Sequence, residues 1–343
     1  MSHKDVTIYD IARVLNISAA TVSRGLKDHP AIRKETKKRI LNAAREMGYQ
    51  QNTFARNLRN KTTSTIGVIV PRLNSYFMST VIAGIEKVAT AAGYNLIISQ
   101  SLESSKKEMV NIGTMFNSRI DGILVSLASD TIDNYQFDIF PKKNIPLIFF
   151  DRVFDYPNCT NIIIDNQKAG YDATIHLLEQ GCKRIVHVGG SQSRNVYLDR
   201  FKGYKEALEE KGIPFDSSLF ITNNLTEQSA QEAAATILNM NPLPDGVFTA
   251  NDTTAVTIIG ELLKNGVRVP EDIAVVGFNN DPIANVINPK LSTINYPGRE
   301  MGEVAASTLI NSIQKLPETN LDTIVLRHNL VVRKSSLRNP TVI

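Results

Sequence analysis

The chain has only 2 cysteines in 343 residues, Cys159 and Cys182. They form no CxxC pair and no disulfide framework. No stretch approaches the ~18 uninterrupted apolar residues a membrane span needs. The opening MSHKDVTIYD has no apolar run of the secretory kind. The expectation is a cytoplasmic protein in a reducing compartment, without a membrane partner. Chemical motifs are missing too. No GxGxxG follows a strand, and there is no Walker A sequence. The nearest approach to a nucleophile elbow, Gly189-Gly190-Ser191-Gln192-Ser193, lacks its last glycine. The five histidines (His3, His29, His176, His187 and His328) show no HExxH or other metal-ligand spacing. His176 and His187 read as helix-surface and strand residues. Carboxylates such as Asp151 and Asp281 could do acid–base work as a pair, but nothing in the sequence singles them out. The reading is of a non-enzyme: no catalytic residues, no metal site and no cofactor.

What is present is uneven. Residues 1–61 carry 13 Lys+Arg and 5 Asp+Glu, a net of +8, while the remainder carries 25 and 29, a net of −4. A basic head on a mildly acidic body suits contact with a polyanion. The head is also patterned. Thr7-x-x-Asp10 is a capping-box variant that starts a helix with Ile8, Ile11, Ala12 and Leu15 at helical spacing. Asn16 suits a left-handed turn, and Ser18 suits the N-cap of a second helix, Ala19 to Leu26. In that helix Val22 and Leu26 face inward. Ala19, Ala20, Ser23 and Arg24 share the other face. A face of small residues can sit deep in a major groove, and an arginine can take guanine bidentately. A third helix from about Lys34 to Met47 ends at Gly48. Three short helices with a tight first turn predict a helix-turn-helix. The polar stretch from Gln50 to Lys61 is a linker, weakly helical on its own.

Beyond it, Val/Ile/Leu-rich strands alternate with amphipathic helices. Nine strands are expected, at Ile66–Val70, Asn95–Ser99, Gly122–Ser126, Leu147–Phe150, Asn161–Ile164, Ile185–Val188, Leu219–Thr222, Gly246–Ala250 and Ile273–Phe278. One of the intervening helices is expected from Asp199 to Lys211. The fold class is α/β: an all-α head and a body of two doubly wound parallel halves, divided near Asp165. Ligands in such sheets sit beyond the carboxyl ends of the strands. That rule picks out Tyr76 and Phe77, Asp151 and Arg152, Arg194 and Arg200, Asn251 and Asp252, and Asn279 to Asp281. Their mixture of aromatic, amide, carboxylate and guanidinium suits a small polar or polyhydroxylated ligand. Asp252 reads as a helix N-cap.

The order of head, linker and two-lobed body resembles the lactose-repressor (LacI/GalR) family of bacterial transcriptional regulators. The motifs are TIYDIARVLNISAATVSRGL, NTFARNL, LIFFDR, LDRFKGYKEAL, FTANDTTA, DIAVVGFNND and LVVRKSS. The resemblance covers nearly the whole chain. It implies a helix-turn-helix domain at 1–50, a hinge helix at 51–62, and a periplasmic-binding-protein-like effector and dimerisation body at 63–343. The N-lobe would be about 63–164 plus 296–325, and the C-lobe about 165–295 plus 326–343. It further implies a homodimer, palindromic operator DNA, a small-molecule effector of the sugar class, and most often a repressor. Ala19, Ala20 and Arg24 would read bases, with Thr7, Tyr9, Ser18, Thr21 and Ser23 beside the backbone. Asn52, Ala55 and Leu58 would form the hinge, with Leu58 wedged into the minor groove. Tyr76, Phe77, Asp151, Arg200, Asn251 and Asn279 would meet the effector. Asn279 stands where sugar binders often carry aspartate, and Leu225 where several stack an aromatic. Gly25, where a larger residue is common, costs about 1 kcal/mol of helix propensity. Two other readings start from the same body: a solute-binding protein of transport, which the basic head opposes, and a sugar-processing enzyme, which the missing motifs oppose.

Overall fold

Asp10 sets the first turn of the head. Its carboxylate accepts from both Thr7 N (2.9 Å) and Thr7 Oγ1 (2.7 Å), closing the start of α1, Ile8–Leu15. Asn16 ends that helix in the left-handed conformation (φ 53°, ψ 47°). Ser18 Oγ then accepts from Thr21 N at 3.1 Å and caps α2, Ala19–Leu26. α3, Lys34–Glu46, completes the head, and Gly48 follows it at φ 67°. Ile11, Val22 and Ile40 are fully buried between the three helices. Gly25 has a packing reason. A Cβ there would run into Ile40 Cδ1 in the middle of this small core, so a side chain enters only if the end of Ile40 turns aside.

The computed structural model describes residues 6–49, 62–157, 159–315 and 323–338. The chain forms two compact units, residues 1–63 and 64–343. The second unit holds two six-stranded sheets. The first contains β1 (Thr65–Val70), β2 (Asn95–Gln100), β3 (Gly122–Val125), β4 (Leu147–Phe150), β5 (Thr160–Ile164) and β11 (Ile324–Leu326), in the order β11-β5-β4-β3-β1-β2. All its pairings are parallel. The second contains β6 (Ile185–Gly189), β7 (Phe220–Thr222), β8 (Gly246–Thr249), β9 (Ala274–Asn279), β10 (Ser292–Asn295) and β12 (Asn329–Val331), in the order β12-β10-β9-β8-β6-β7. Only the edge strand β12 runs antiparallel there. The central strands β3, β4, β6 and β8 are buried along their whole length and β1 along nearly all of it, which is why they read as unbroken apolar runs.

The helices are α4 (Tyr76–Ala91), α5 (Ser105–Asn117), α6 (Asn166–Glu179), α7 (Asn195–Glu210), α8 (Glu227–Leu238), α9 (Asp252–Lys264), the single turn α10 (Ile283–Val286) and α11 (Gly298–Gln314). α4, α5 and α11 pack on the first sheet; α6, α7 and α9 pack on the second. The chain therefore crosses between the sheets three times, after β5, after β10 and between β11 and β12.

Twelve strands are seen among the described residues, against nine expected. The three extra ones are short, and β10 reads Ser-Thr-Ile-Asn, with one large apolar residue. Ser292 and Thr293 are nevertheless buried, because their polar groups are met. Ser292 N donates to Ser335 Oγ (2.8 Å), and Ser336 Oγ donates to Ser292 Oγ (2.7 Å). His176 completes this chain of hydroxyls at 2.7 Å from Ser336 Oγ; it is buried, not on a helix surface as expected. The His187 ring is buried in β6 between Phe220 and Phe248.

Two helix pairs meet at glycines, one pair on each sheet. A Cβ at Gly84 (α4) would strike the Arg299 carbonyl, and one at Gly302 (α11) the Val81 carbonyl. In the other pair, Gly170 (α6) faces the Arg200 backbone and Gly203 (α7) faces the Gln167 carbonyl. By contrast Gly113 and Gly260, also in helix interiors, face open space. Gly203→Ala is expected to destabilise the chain by about 2 kcal/mol or more, since backbone must move apart. Gly113→Ala and Gly260→Ala are expected to stabilise it by up to about 1 kcal/mol. Denaturant unfolding of the three variants checks this, and equal effects would mean that the helix pairs do not depend on close approach.

Candidate nucleic-acid interface and effector cleft

On the head, Thr7, Tyr9, Ser18, Ala20 and Arg24 are exposed, Tyr9 by 68%. Thr21 and Ser23 are half-buried. Ala19 departs from the expected outer face: it is half-buried and packs against the head core. The exposed face of α2 thus narrows to Ala20 and Arg24, flanked by the half-buried Ser23. Two of the polar candidates also hold structure, Thr7 through Asp10 and Ser18 through Thr21. Asn52, Ala55 and Leu58 lie outside the described residues.

In the body, Tyr76, Phe77, Asp151, Arg200, Asn251 and Asn279 all line one cleft of about 580 Å³ between the two sheets. Their depths differ. Tyr76 is exposed at the mouth, while Phe77 is buried and stacks on Tyr296 with centroids 4.2 Å apart. Phe77 is therefore a wall of the cleft. Asp151 sits at the end of β4 in the left-handed region, φ 60°. Its carboxylate accepts from Tyr296 Oη (2.9 Å) and Ser126 Oγ (3.1 Å). Burial raises its pKa, and the positive charges of Arg152 and Arg200 oppose that shift.

Arg200 is 3% exposed, in the second turn of α7. Nε donates to Asn166 Oδ1 and Nη1 to Ala250 O, both at 2.9 Å. The guanidinium lies 3.5 Å from the centroid of the Phe278 ring. Those contacts fix its plane, as orientation of a ligand requires. Asn251 caps α9: Oδ1 accepts from Thr254 N (2.8 Å), and Nδ2 donates to Leu225 O (3.3 Å). The cap is therefore Asn251 and not Asp252. Asp252 occupies the first helical position, fully buried, and accepts from Thr293 Oγ1 (2.6 Å) and Asp281 N (2.7 Å).

Several cleft residues were not foreseen. Glu103 follows β2 and pairs with Arg152 (2.7 Å) and Arg72 (3.4 Å). Burial works against its charge, but the two arginines hold its pKa below the ordinary value. Tyr197 was missed because α7 begins four residues earlier than its apolar pattern suggests. Tyr296 was missed because β10 was. The rule of looking beyond each strand's carboxyl end would have found Glu103 and Tyr296 had it been applied to β2 and β10.

One edge of the cleft is bridged. Ser193 Oγ donates to Ser129 O (2.9 Å), and Arg194 Nη2 donates to Thr131 O. Asn195 donates to Asp151 O and accepts from Val153 N, both at 3.1 Å. Arg152 Nη2 donates to Tyr197 Oη at 2.9 Å. A short segment of the second sheet's side thus grips two loops of the first. Arg194, selected by the strand-end rule as a ligand contact, is used in this grip.

Behind the cleft wall, burial pushes Asp252 up to about 7, with Asp281 adding to the rise and Thr293 opposing it. From its unfolded value of 3.8 up to about pH 7, the folded chain keeps a proton there that the unfolded chain has released. Stability is then lost as pH rises through this window, by about 1.4 kcal/mol per pH unit for one proton. Denaturant unfolding at about pH 5 and about pH 7.5 is expected to show a steeper loss of stability in the wild type than in Asp252→Asn, in which Asp281, also raised by burial, still contributes a slope. Equal slopes would mean that the Asp252 carboxyl is ionised throughout.

The comparisons with known proteins agree with this arrangement. Residues 7–52 match the model of bacterial regulatory proteins of the lacI family, and residues 174–336 match a periplasmic binding protein-like domain. The chain is 31% identical to catabolite control protein A of Priestia megaterium, over 97% of this chain and 99% of that protein. It is 32% identical to the transcriptional repressor PurR of Photobacterium profundum, over 96% and 98%. The solved complex of the transcriptional regulator CelR with cellobiose superposes with a TM-score of 0.73 at 26% identity, covering 96% and 99% of the two chains. Two compact units, one a helix-turn-helix and the other a two-sheet body with a polar cleft, in a chain alike to these regulators from end to end, make this a member of the lacI family of bacterial regulatory proteins: a DNA-binding transcriptional regulator.

Proposed function

We propose that this regulator is a cytoplasmic homodimer that binds a palindromic operator, acts as a repressor, and is controlled by a small polyhydroxylated effector in the cleft of residues 64–343. The observation that carries the effector reading is the convergence of Asp151, Arg200, Asn251 and Asn279 on one polar cleft walled by Phe77 and Tyr296. Carboxylate, guanidinium and amides fixed by protein hydrogen bonds suit a ligand rich in hydroxyls. CelR, a relative of similar fold, was solved with cellobiose. Among the described residues no helix is long and apolar enough to cross a membrane. The helix-turn-helix sets this chain apart from a transport solute binder.

In the proposed division of labour, residues 1–50 read DNA, 51–62 form the hinge and 63–343 bind effector and dimerise. Arg24 and Ala20 contact bases; Thr7, Tyr9, Ser18, Thr21 and Ser23 stand beside phosphates. Effector acts by binding the two arrangements of the sheets unequally. The grip of Ser193, Arg194 and Asn195 on the opposite loops belongs to one of those arrangements.

Two measurements test the halves separately. Arg24→Ala is expected to weaken operator binding by about 1–3 kcal/mol while barely changing affinity for random DNA. Equal losses on both would contradict base reading. Arg200→Lys keeps the charge and loses the fork. It is expected to lower affinity for whichever of D-ribose or cellobiose stabilises the wild type by about tenfold, roughly 1.4 kcal/mol, and to leave operator binding intact. An unchanged response would remove Arg200 from the site.

A further inference from the structure

The four carboxylates of the cleft are not in equivalent positions. Glu103 is paired with two arginines, and Asp151 accepts from two hydroxyls. Glu227 is exposed in the first turn of α8, where solvent and the helix dipole satisfy it. Asp281 differs. It is 8% exposed, and its Oδ1 is sealed from solvent with no hydrogen-bond partner. Its place in the chain does not depend on that side chain. Asp281 N donates to Asp252 Oδ2 (2.7 Å), and Asp281 O accepts from Ala284 N (2.9 Å).

The groups around it offer no cation. The Asn279 amide bonds its carboxyl, and the buried Asp252 carboxylate lies behind it. The nearby Arg333 spends its guanidinium on Asn280 Oδ1 and Leu291 O, both at 2.8 Å. Among the described residues Asp281 makes no ion pair. The Asn279 bond offsets part of the carboxyl's desolvation, but Oδ1 itself has no partner and carries the cost of a buried, unmet acceptor. Asp281 also lies where two hollows meet. It lines the 580 Å³ cleft and an adjoining hollow of about 400 Å³, and both share Tyr76, Asn279 and Tyr296. The Asp281 carboxyl therefore borders both spaces.

We propose that Asp281 is a specificity-determining residue of the cleft, whose carboxylate takes an O–H or N–H donor of the effector, a hydroxyl or a protonated amine. This rests on the reading of the cleft as the effector site. Burial also pushes the Asp281 carboxyl up to about 6, with Asn279 opposing. A donor placed against it returns what water has been denied.

The test uses the full chain with Asp281→Leu and Asp281→Asn. Melting temperature is measured first without ligand, then with D-ribose, cellobiose or D-glucosamine. Without ligand, Asp281→Leu is expected to melt about 2 °C or more above the wild type, because an unpaired buried acceptor is gone. A lower melting temperature would overturn the proposal by showing that the carboxylate supports the fold. A compound that stabilises the wild type is expected to bind both variants at least about tenfold more weakly. Equal binding to wild type and Asp281→Leu would also overturn it. A response to D-ribose or cellobiose alone identifies the partner as a hydroxyl; a response to D-glucosamine alone identifies an amine. If none of the three shifts the wild type, the sugar reading of the cleft fails. A raised ligand-free melting temperature of Asp281→Leu then still shows an unmet buried acceptor apart from the sugar reading, and a lowered one overturns the proposal independently of it.

Discussion

Asp151 places a largely buried carboxylate at the end of a central strand, in the cleft between two sheets. An unpartnered carboxylate there would cost several kcal/mol. Tyr296 and Ser126 each donate to one of its oxygens. Tyr296 comes from the second crossing between the sheets, and its ring is stacked on Phe77 at the start of α4. The backbone carbonyl of Asp151 meanwhile accepts from Asn195, at the start of α7. One residue therefore ties together β4, the crossing after β10, and the helix that carries Arg200. The cleft is shaped around that knot.

The helix pairs on either side share a second constraint. α4 and α11 cover one sheet, α6 and α7 cover the other, and each pair closes on glycines facing backbone carbonyls. Close backbone approach leaves little room for relative motion within a pair. Each pair is thus held together on its own sheet. The grip of residues 193–195 on the loops at 129–131 and 151–153 is made through polar contacts. Contacts of that kind can be exchanged for others at small net cost, which suits a bistable element.

How legible the site was depended on how each residue is held. Asp151, Arg200, Asn251 and Asn279 follow strong apolar strands or lie in the helix after one, and the strand-end rule reaches them. Tyr296, Tyr197 and Glu103 follow a polar strand, a shifted helix start and a left-handed loop residue, and the same rule passed over them. Ala19 was placed on the outer face of α2 by its wheel angle, yet the head core reaches round to cover it. A helical wheel gives the angle of a side chain but not the width of the surface packed against it. Asp252 carried the signature of a cap, and Asn251, one residue earlier, took the role because its backbone is extended there.

The sequence by itself determined the basic helix-turn-helix, its caps at Thr7 and Ser18, the alternation of strand and helix, and most strands of both sheets. These are local properties: charge, capping and periodicity act within a few residues and can be read within a few residues. Only the tertiary structure decided which edge strands close the sheets, why His176, Ser292 and Ser336 can be buried, that Arg194 grips the opposite loops, and that Asp281 alone among the cleft's carboxylates has a bare oxygen. Those facts depend on partners 40 to 160 residues away in the chain, and no local pattern records whether a distant partner arrives.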